Sequence, residues 1–134
     1  MKVLTVRQPW AWAIIFAGKD VENRSWTSTY RGPVAIHAGR RFDEPGAGQV
    51  LATTGFDVPD HVRTDTGLII GVVDLIDVVD DSVSQWAQPG LKHLVFANPR
   101  PIHPLPWSGS LGLRDLPEDV ELDVIRAGSA YVSV

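Results

Sequence analysis

The sequence predicts an α+β fold: a small twisted β-barrel of about five to seven mostly antiparallel strands, with short helices at its ends. Three observations point there. Short β-rich runs recur between turn signals. One longer run of β-branched residues, 67-GLIIGVVDLIDVV-79, occupies the middle of the chain. A helical pattern comes early, in 9-PWAWAIIFAG-18. The 134 residues are expected to form a single domain, 1–134, long enough to bury a core without staples.

Val3 to Val6 is the first short strand. In the segment that follows, Trp10 and Ile14 fall at helical spacing, with Pro9 suited to a first turn and Gly18 to a stop. Asp20 to Trp26 reads as a strand with Glu22, Arg24 and Trp26 on one face and Asn23 and Ser25 on the other. Tyr30-Arg31-Gly32-Pro33 turns into a second strand, VAIHAG. Phe42 to Thr54 is a helix in this reading, with Asp43 as N-cap and Gly55 as stop. Gly67 to Val79 is the long central strand, and Gly71 allows a bend or bulge in it. Asp80-Asp81-Ser82 turns out of that strand, and Ser82 to Trp86 is one helical turn ended by Pro89-Gly90. His93 to Ala97 and Ser110 to Leu113 are further strands, joined by 98-NPRPIHPLPWSG-109 as an ordered loop. A short helix at 118–126 and a closing strand from Ala130 to Val134 complete the prediction.

The net charge is −4, which argues against broad electrostatic affinity for nucleic acid. Its distribution says more. Residues 1–41 hold seven Lys/Arg against two acids, and the rest of the chain holds five bases against fourteen acids. Segregation of this kind can build a basic face on an acidic body, unless the fold intermixes the two halves. The chain has no cysteine, so disulfides and thiol chemistry are excluded. His37, His61, His93 and His103 lack metal-ligand spacing, and the acidic run Asp74, Asp77, Asp80 and Asp81 lacks the looped spacing of a calcium site. No metal or cofactor is expected. No apolar run is long enough for a membrane span, and the N-terminus lacks the apolar core of a signal peptide, so a cytoplasmic location is expected.

The chemistry gathers in 18-GKDVENRSW-26, where Lys19, Glu22 and Arg24 crowd against aromatic residues. The succession 8-QPWA-11, 18-GKDVENRSW-26, 31-RGPVAIHAG-39, 67-GLIIGVVDL-75, 98-NPRP-101 and 109-GSLGL-113 resembles the ASCH domain family, whose fold belongs to the PUA-like group. The charged signature of that family runs Gly, any residue, Lys, two residues, Glu, one residue, Arg. Lys19, Glu22 and Arg24 match it, whereas Ala17 stands where the glycine is expected and Gly18 directly precedes the lysine. The resemblance implies a cleft between the first helix and the barrel mouth that takes RNA or a nucleoside-like ligand.

The residue types suit such a ligand. Arg24, Lys19 and Arg31 can meet phosphate, and arginine does so as a planar fork. Glu22 can accept from an exocyclic amino group, as carboxylates do with cytosine N4. Trp10, Trp26 and Tyr30 offer stacking faces, and Gln8 belongs to the same set of candidates. Structural readings stand beside these: Glu22 and Arg24 paired across a sheet, the tryptophans in the core, and His37 as a satisfied core histidine rather than a catalyst.

Binding of RNA or a nucleotide ligand is therefore the leading expectation. Some relatives that the resemblance brings in are amidohydrolases acting on an N4-acylated cytidine, with a catalytic lysine and threonine. Here Lys19 matches, but Glu22 stands at the threonine position, leaving a scheme with Glu22 as general base and Lys19 at the oxyanion. The resemblance also brings in ribonucleases, which makes RNA cleavage with Lys19 and Tyr30 at a phosphate another alternative, as is a protein-interaction surface at the proline-rich loop and Trp107.

Overall fold

A computed structural model describes residues 1–132. Alternation of apolar side chains along Lys2–Gln8 (β1), Gly32–Phe42 (β3) and Leu68–Val79 (β4) gives each strand two buried faces. One face carries Leu4, Val6, Val34, Ile36, Val73 and Leu75, and it packs against Ala11, Ile14 and Ile15 of α1 (Trp10–Phe16). The opposite face carries Val3, Ala35, Ile69 and Val72, and it is covered by Val124 and Ala127 of the C-terminal helix Glu118–Ser129. A third cluster joins Ala13 and Val21 to Val50 of α2 (Glu44–Thr54) and to Trp86. Each fully buried leucine or isoleucine in these layers contributes about 1.5–3 kcal/mol.

With β2 (Val21–Arg24), β5 (Lys92–Pro106) and β6 (Leu113–Asp115), the strands form one six-stranded sheet in the order β2-β5-β4-β3-β1-β6. The pair β1 and β3 is parallel, and the other pairings are antiparallel. A parallel pair needs a crossover, which α1 and β2 supply. The α+β class and the strand number agree with expectation, but the sheet does not close into a barrel. Its edges, β2 and β6, are four and three residues long, too short to zip a backbone seam. The sheet nevertheless curls far enough that the Arg24 guanidinium on β2 donates to the Thr5 carbonyl on β1 at 2.9 Å, with three strands between them in the order.

Several elements differ from the sequence reading. β5 runs straight through the proline-rich segment expected as a loop. Its prolines fall in two pairs, 99/101 and 104/106, each two apart, so their missing N–H groups share one side of the ribbon. Beyond Phe96 that side has no strand against it, because β2 pairs only with Lys92–Val95. The change of phase between the pairs falls at a register shift opposite Ile69–Gly71. Ser82 to Trp86 is an extended loop with a turn rather than a helical turn, and a short 3-10 turn at Asp60–Arg63 was not anticipated. The C-terminal helix, α3, extends to Ser129; Ala130 to Val132 form no strand, and the remainder of the expected closing strand lies outside the described residues.

Gly71 does mark an irregularity. A Cβ there would lie 2.6 Å from Ile15 Cδ1 and 2.8 Å from the Arg100 carbonyl oxygen, so the glycine is what lets α1 seat on the sheet. His37, 1% exposed, is a satisfied core group. The Trp107 carbonyl, 2.7 Å from Nε2, can only accept, so Nε2 carries the proton. Nδ1 then accepts from the Thr5 hydroxyl at 3.1 Å, and that hydroxyl oxygen accepts from the Ser110 N–H at 3.2 Å.

Candidate functional site

The turn after α1 places the charged stretch. Ala17 and Lys19 both donate their backbone N–H to the Ala13 carbonyl at 3.0 Å, and Gly18 between them takes φ +74°, a conformation that favours glycine. The glycine next to the lysine, displaced from the family spacing, thus folds Lys19 back beneath the helix. Lys19 is 4% exposed and its ammonium lies 5.7 Å from the centre of the Trp10 ring. It donates to the Val21 carbonyl, and to Glu22 Oε1 at 2.8 Å. The other carboxylate oxygen of Glu22 accepts from Arg24 Nε at 3.1 Å. One carboxylate therefore holds two cations, and the fused network runs from the turn after α1 through β2 to the Thr5 carbonyl of β1.

Beside this network lies a cavity of about 500 Å³ between α1, β2, α2 and the loop that follows β4. Trp10, Lys19, Glu22 and Asn23 line one side; Asp43 and Trp86 complete it, with glutamines 49, 85 and 88 at its borders. Trp10 and Trp86 meet edge to face, with ring centres 6.4 Å apart. Asp43 flanks α2, but its carboxylate does not cap the helix; it accepts from Trp10 Nε1 at 2.9 Å and so fixes the indole. Gly46 permits the close approach of α2, since a Cβ there would sit 3.0 Å from Trp10 Cζ2. Asn23 clamps the opposite wall: its amide donates to the Trp86 carbonyl at 2.9 Å, and its oxygen accepts from the Gln88 N–H at 2.8 Å.

Of the residues singled out from sequence, Trp10, Lys19 and Glu22 line the cavity and the others do not. Arg24 stands behind Glu22. Gln8 is buried; its side chain accepts from the Trp12 N–H at 2.9 Å and donates to the Asp65 carbonyl at 3.0 Å, anchoring the start of α1. Trp26 and Tyr30 pack against the core on the α1 side of the sheet. Burial pushes the Tyr30 phenol above its usual range, and its hydroxyl donates to the Pro33 carbonyl at 2.7 Å. Arg31 is exposed, 3.6 Å from Asp77. Sequence reasoning missed Asp43 and Trp86, although Trp86 belonged to a chain rich in tryptophan and Asp43 was read only as a cap.

Chemically, the cavity offers an aromatic corner, one ammonium already matched to a carboxylate, and a second carboxylate. Hydrolysis with Glu22 as base would require it to release Lys19 or Arg24 first, since each of its oxygens already accepts from a cation. Among the described residues no group of three His, Asp or Glu side chains is arranged to hold a metal ion. No helix among them is long and apolar enough to cross a membrane.

Comparison with known proteins agrees with this architecture. The sequence profile of the ASCH domain matches residues 4–106. The chain is 33% identical over 93 residues to activating signal cointegrator 1 of Mus musculus, covering 66% of this chain and 16% of that protein. It is 37% identical over 79 residues to the Homo sapiens protein of the same name, covering 55% of this chain and 14% of that one. The chain thus spans a small fraction of these relatives' length. Among solved structures, ASCH from Zymomonas mobilis superposes with a TM-score of 0.58 at 14% identity, over 93% of each chain. A variant of it with a tyrosine replaced by phenylalanine gives 0.59 at 14% identity, over 93% of this chain and 96% of that one. At that identity the likeness is one of fold. On the profile match over most of its length, this chain belongs to the ASCH domain family.

Proposed function

We propose that this ASCH domain binds RNA by taking one unpaired nucleobase into the cavity between α1, β2 and α2. The observation that carries the reading is the cavity itself. Its volume of about 500 Å³ falls within the usual range for small-ligand sites, and it presents two indoles beside two carboxylates. Aromatic faces suit a base that has left its stack, and such a contact contributes about 1–3 kcal/mol. Glu22 and Asp43 are acceptors, so they favour a base with an exocyclic amino group, cytosine or adenine, over uracil. Lys19 keeps Glu22 oriented and supplies a donor at the same wall.

Titration of the isolated nucleosides tests this. Cytidine and adenosine should shift the indole N–H resonances of Trp10 and Trp86, with uridine weaker. Glu22→Gln should shrink that preference by roughly tenfold, in keeping with about 1–3 kcal/mol for a base-edge contact. If neither indole responds to any nucleoside or short RNA, the cavity is not a base site.

A further inference from the structure

Nine of the twelve lysines and arginines have an ion pair or a hydrogen bond to a protein group among the described residues. The three that have neither are Arg7, Arg40 and Arg41, and the strand register brings their backbones together. β1 and β3 run in register up to Arg7 opposite Gly39, and the next pair is Gln8 opposite Phe42. Arg40 and Arg41 therefore have no counterpart across the ladder. They bulge out beside Arg7, and all three are exposed.

This bulge adjoins the cavity. Arg41 precedes Asp43 by two residues, and Arg7 precedes Trp10 by three. Covalent geometry alone keeps their backbones within about 7–11 Å of those wall residues. The Asp43 N–H donates to the Gln8 carbonyl at 2.7 Å and locks the two chain segments together. Two nearby acids are engaged elsewhere, Glu44 by Arg63 and Asp43 by Trp10. The cavity walls carry Glu22 and Asp43 against Lys19 alone, so a phosphate inside would meet net negative charge.

We propose that Arg7, Arg40 and Arg41 form a phosphate track, on which the backbone of a single-stranded RNA lies while one of its bases occupies the cavity. This rests on the cavity reading above and extends it from a nucleoside to a strand. Guanidinium groups are suited to the role, since each can hold a phosphate with two parallel hydrogen bonds. The track also explains how a chain of net charge −4 can hold a polyanion: the contact is local.

The test compares cytidine with a single-stranded hexaribonucleotide containing cytosine, each titrated against salt. Three phosphate contacts on a single strand give a slope of log K against log[salt] near about −2. Arg40→Ala/Arg41→Ala should bring it to about −0.7 and weaken the oligomer at low salt, while cytidine affinity and the melting curve stay at wild-type values. An unchanged slope in that variant, with cytidine still bound, overturns the track and leaves the cavity reading intact. Arginine-dependent binding of the oligomer without any response of Trp10 or Trp86 overturns the cavity reading and keeps the track. Equally tight, arginine-dependent binding of polyglutamate would replace the nucleic acid by an acidic protein surface, and so overturn the proposal.

Discussion

At the scale of single residues, this protein buries polar groups only where each finds a partner. No buried side-chain nitrogen or oxygen among the described residues lacks a hydrogen bond. His37 gives that rule a measurable consequence. Burial holds its imidazole below the ordinary 6.5, because the charged form would lose water. The unfolded chain takes up that proton more readily than the native one. Stability should therefore be fully present above pH 6.5 and fall as the pH drops below it, toward the lower native value. Urea midpoints measured from pH 7.5 downward should show this decline, and His37→Asn should flatten it in the window just below 6.5. A wild-type midpoint insensitive to pH there would mean that His37 titrates normally. Glu22 and Lys19 illustrate how far residue-level reading goes. Their proximity was legible in nine consecutive letters, but the salt bridge they make with each other at the wall of the cavity was not.

At the scale of elements, the decisive contact is α1 against β4. Gly71→Ala places a methyl group against Ile15 and, more seriously, against the Arg100 carbonyl, which belongs to a paired strand and cannot rotate away. Overpacking of this kind costs about 1–3 kcal/mol, and the cost should appear as a lower urea midpoint with an unchanged m value. A neutral substitution would show that the sheet yields freely there. The sequence marked Gly71 as a bend, and it marked Gly55, whose φ of +78° ends α2. It misread the proline-rich half of β5, because proline counts against a strand only where its N–H would be needed. Which side of β5 is unpaired depends on β2 being short, a fact that local composition does not hold.

For the whole molecule, the gap between the edge strand β2 and β1 is the feature that matters. A side chain, Arg24, spans a gap where a barrel would have a backbone seam. Arg24→Ala removes charged hydrogen bonds to Glu22 and to the Thr5 carbonyl, worth about 1.5–3 kcal/mol apiece when made by charged groups. Exposure of roughly a quarter of the Arg24 side chain lowers that figure, so a loss near the bottom of the range is expected. The expected signature is faster amide exchange in β1 and β2 ahead of the rest of the sheet. Uniform exchange in the variant would show that the curl is set by the bulged strands alone.

The sequence by itself determined the long central strand, the helix that α1 becomes, and the charged stretch that lines one wall of the cavity. These follow from short-range rules: side-chain periodicity, turn chemistry and the backbone freedom of glycine. Only the tertiary structure decided that Asp43 faces Trp10 across 33 residues, that Trp86 is clamped by Asn23 across 63, and that the sheet stays open. Those outcomes depend on how strand lengths and registers bring distant segments into contact, and contact between distant segments leaves no periodic trace in the chain.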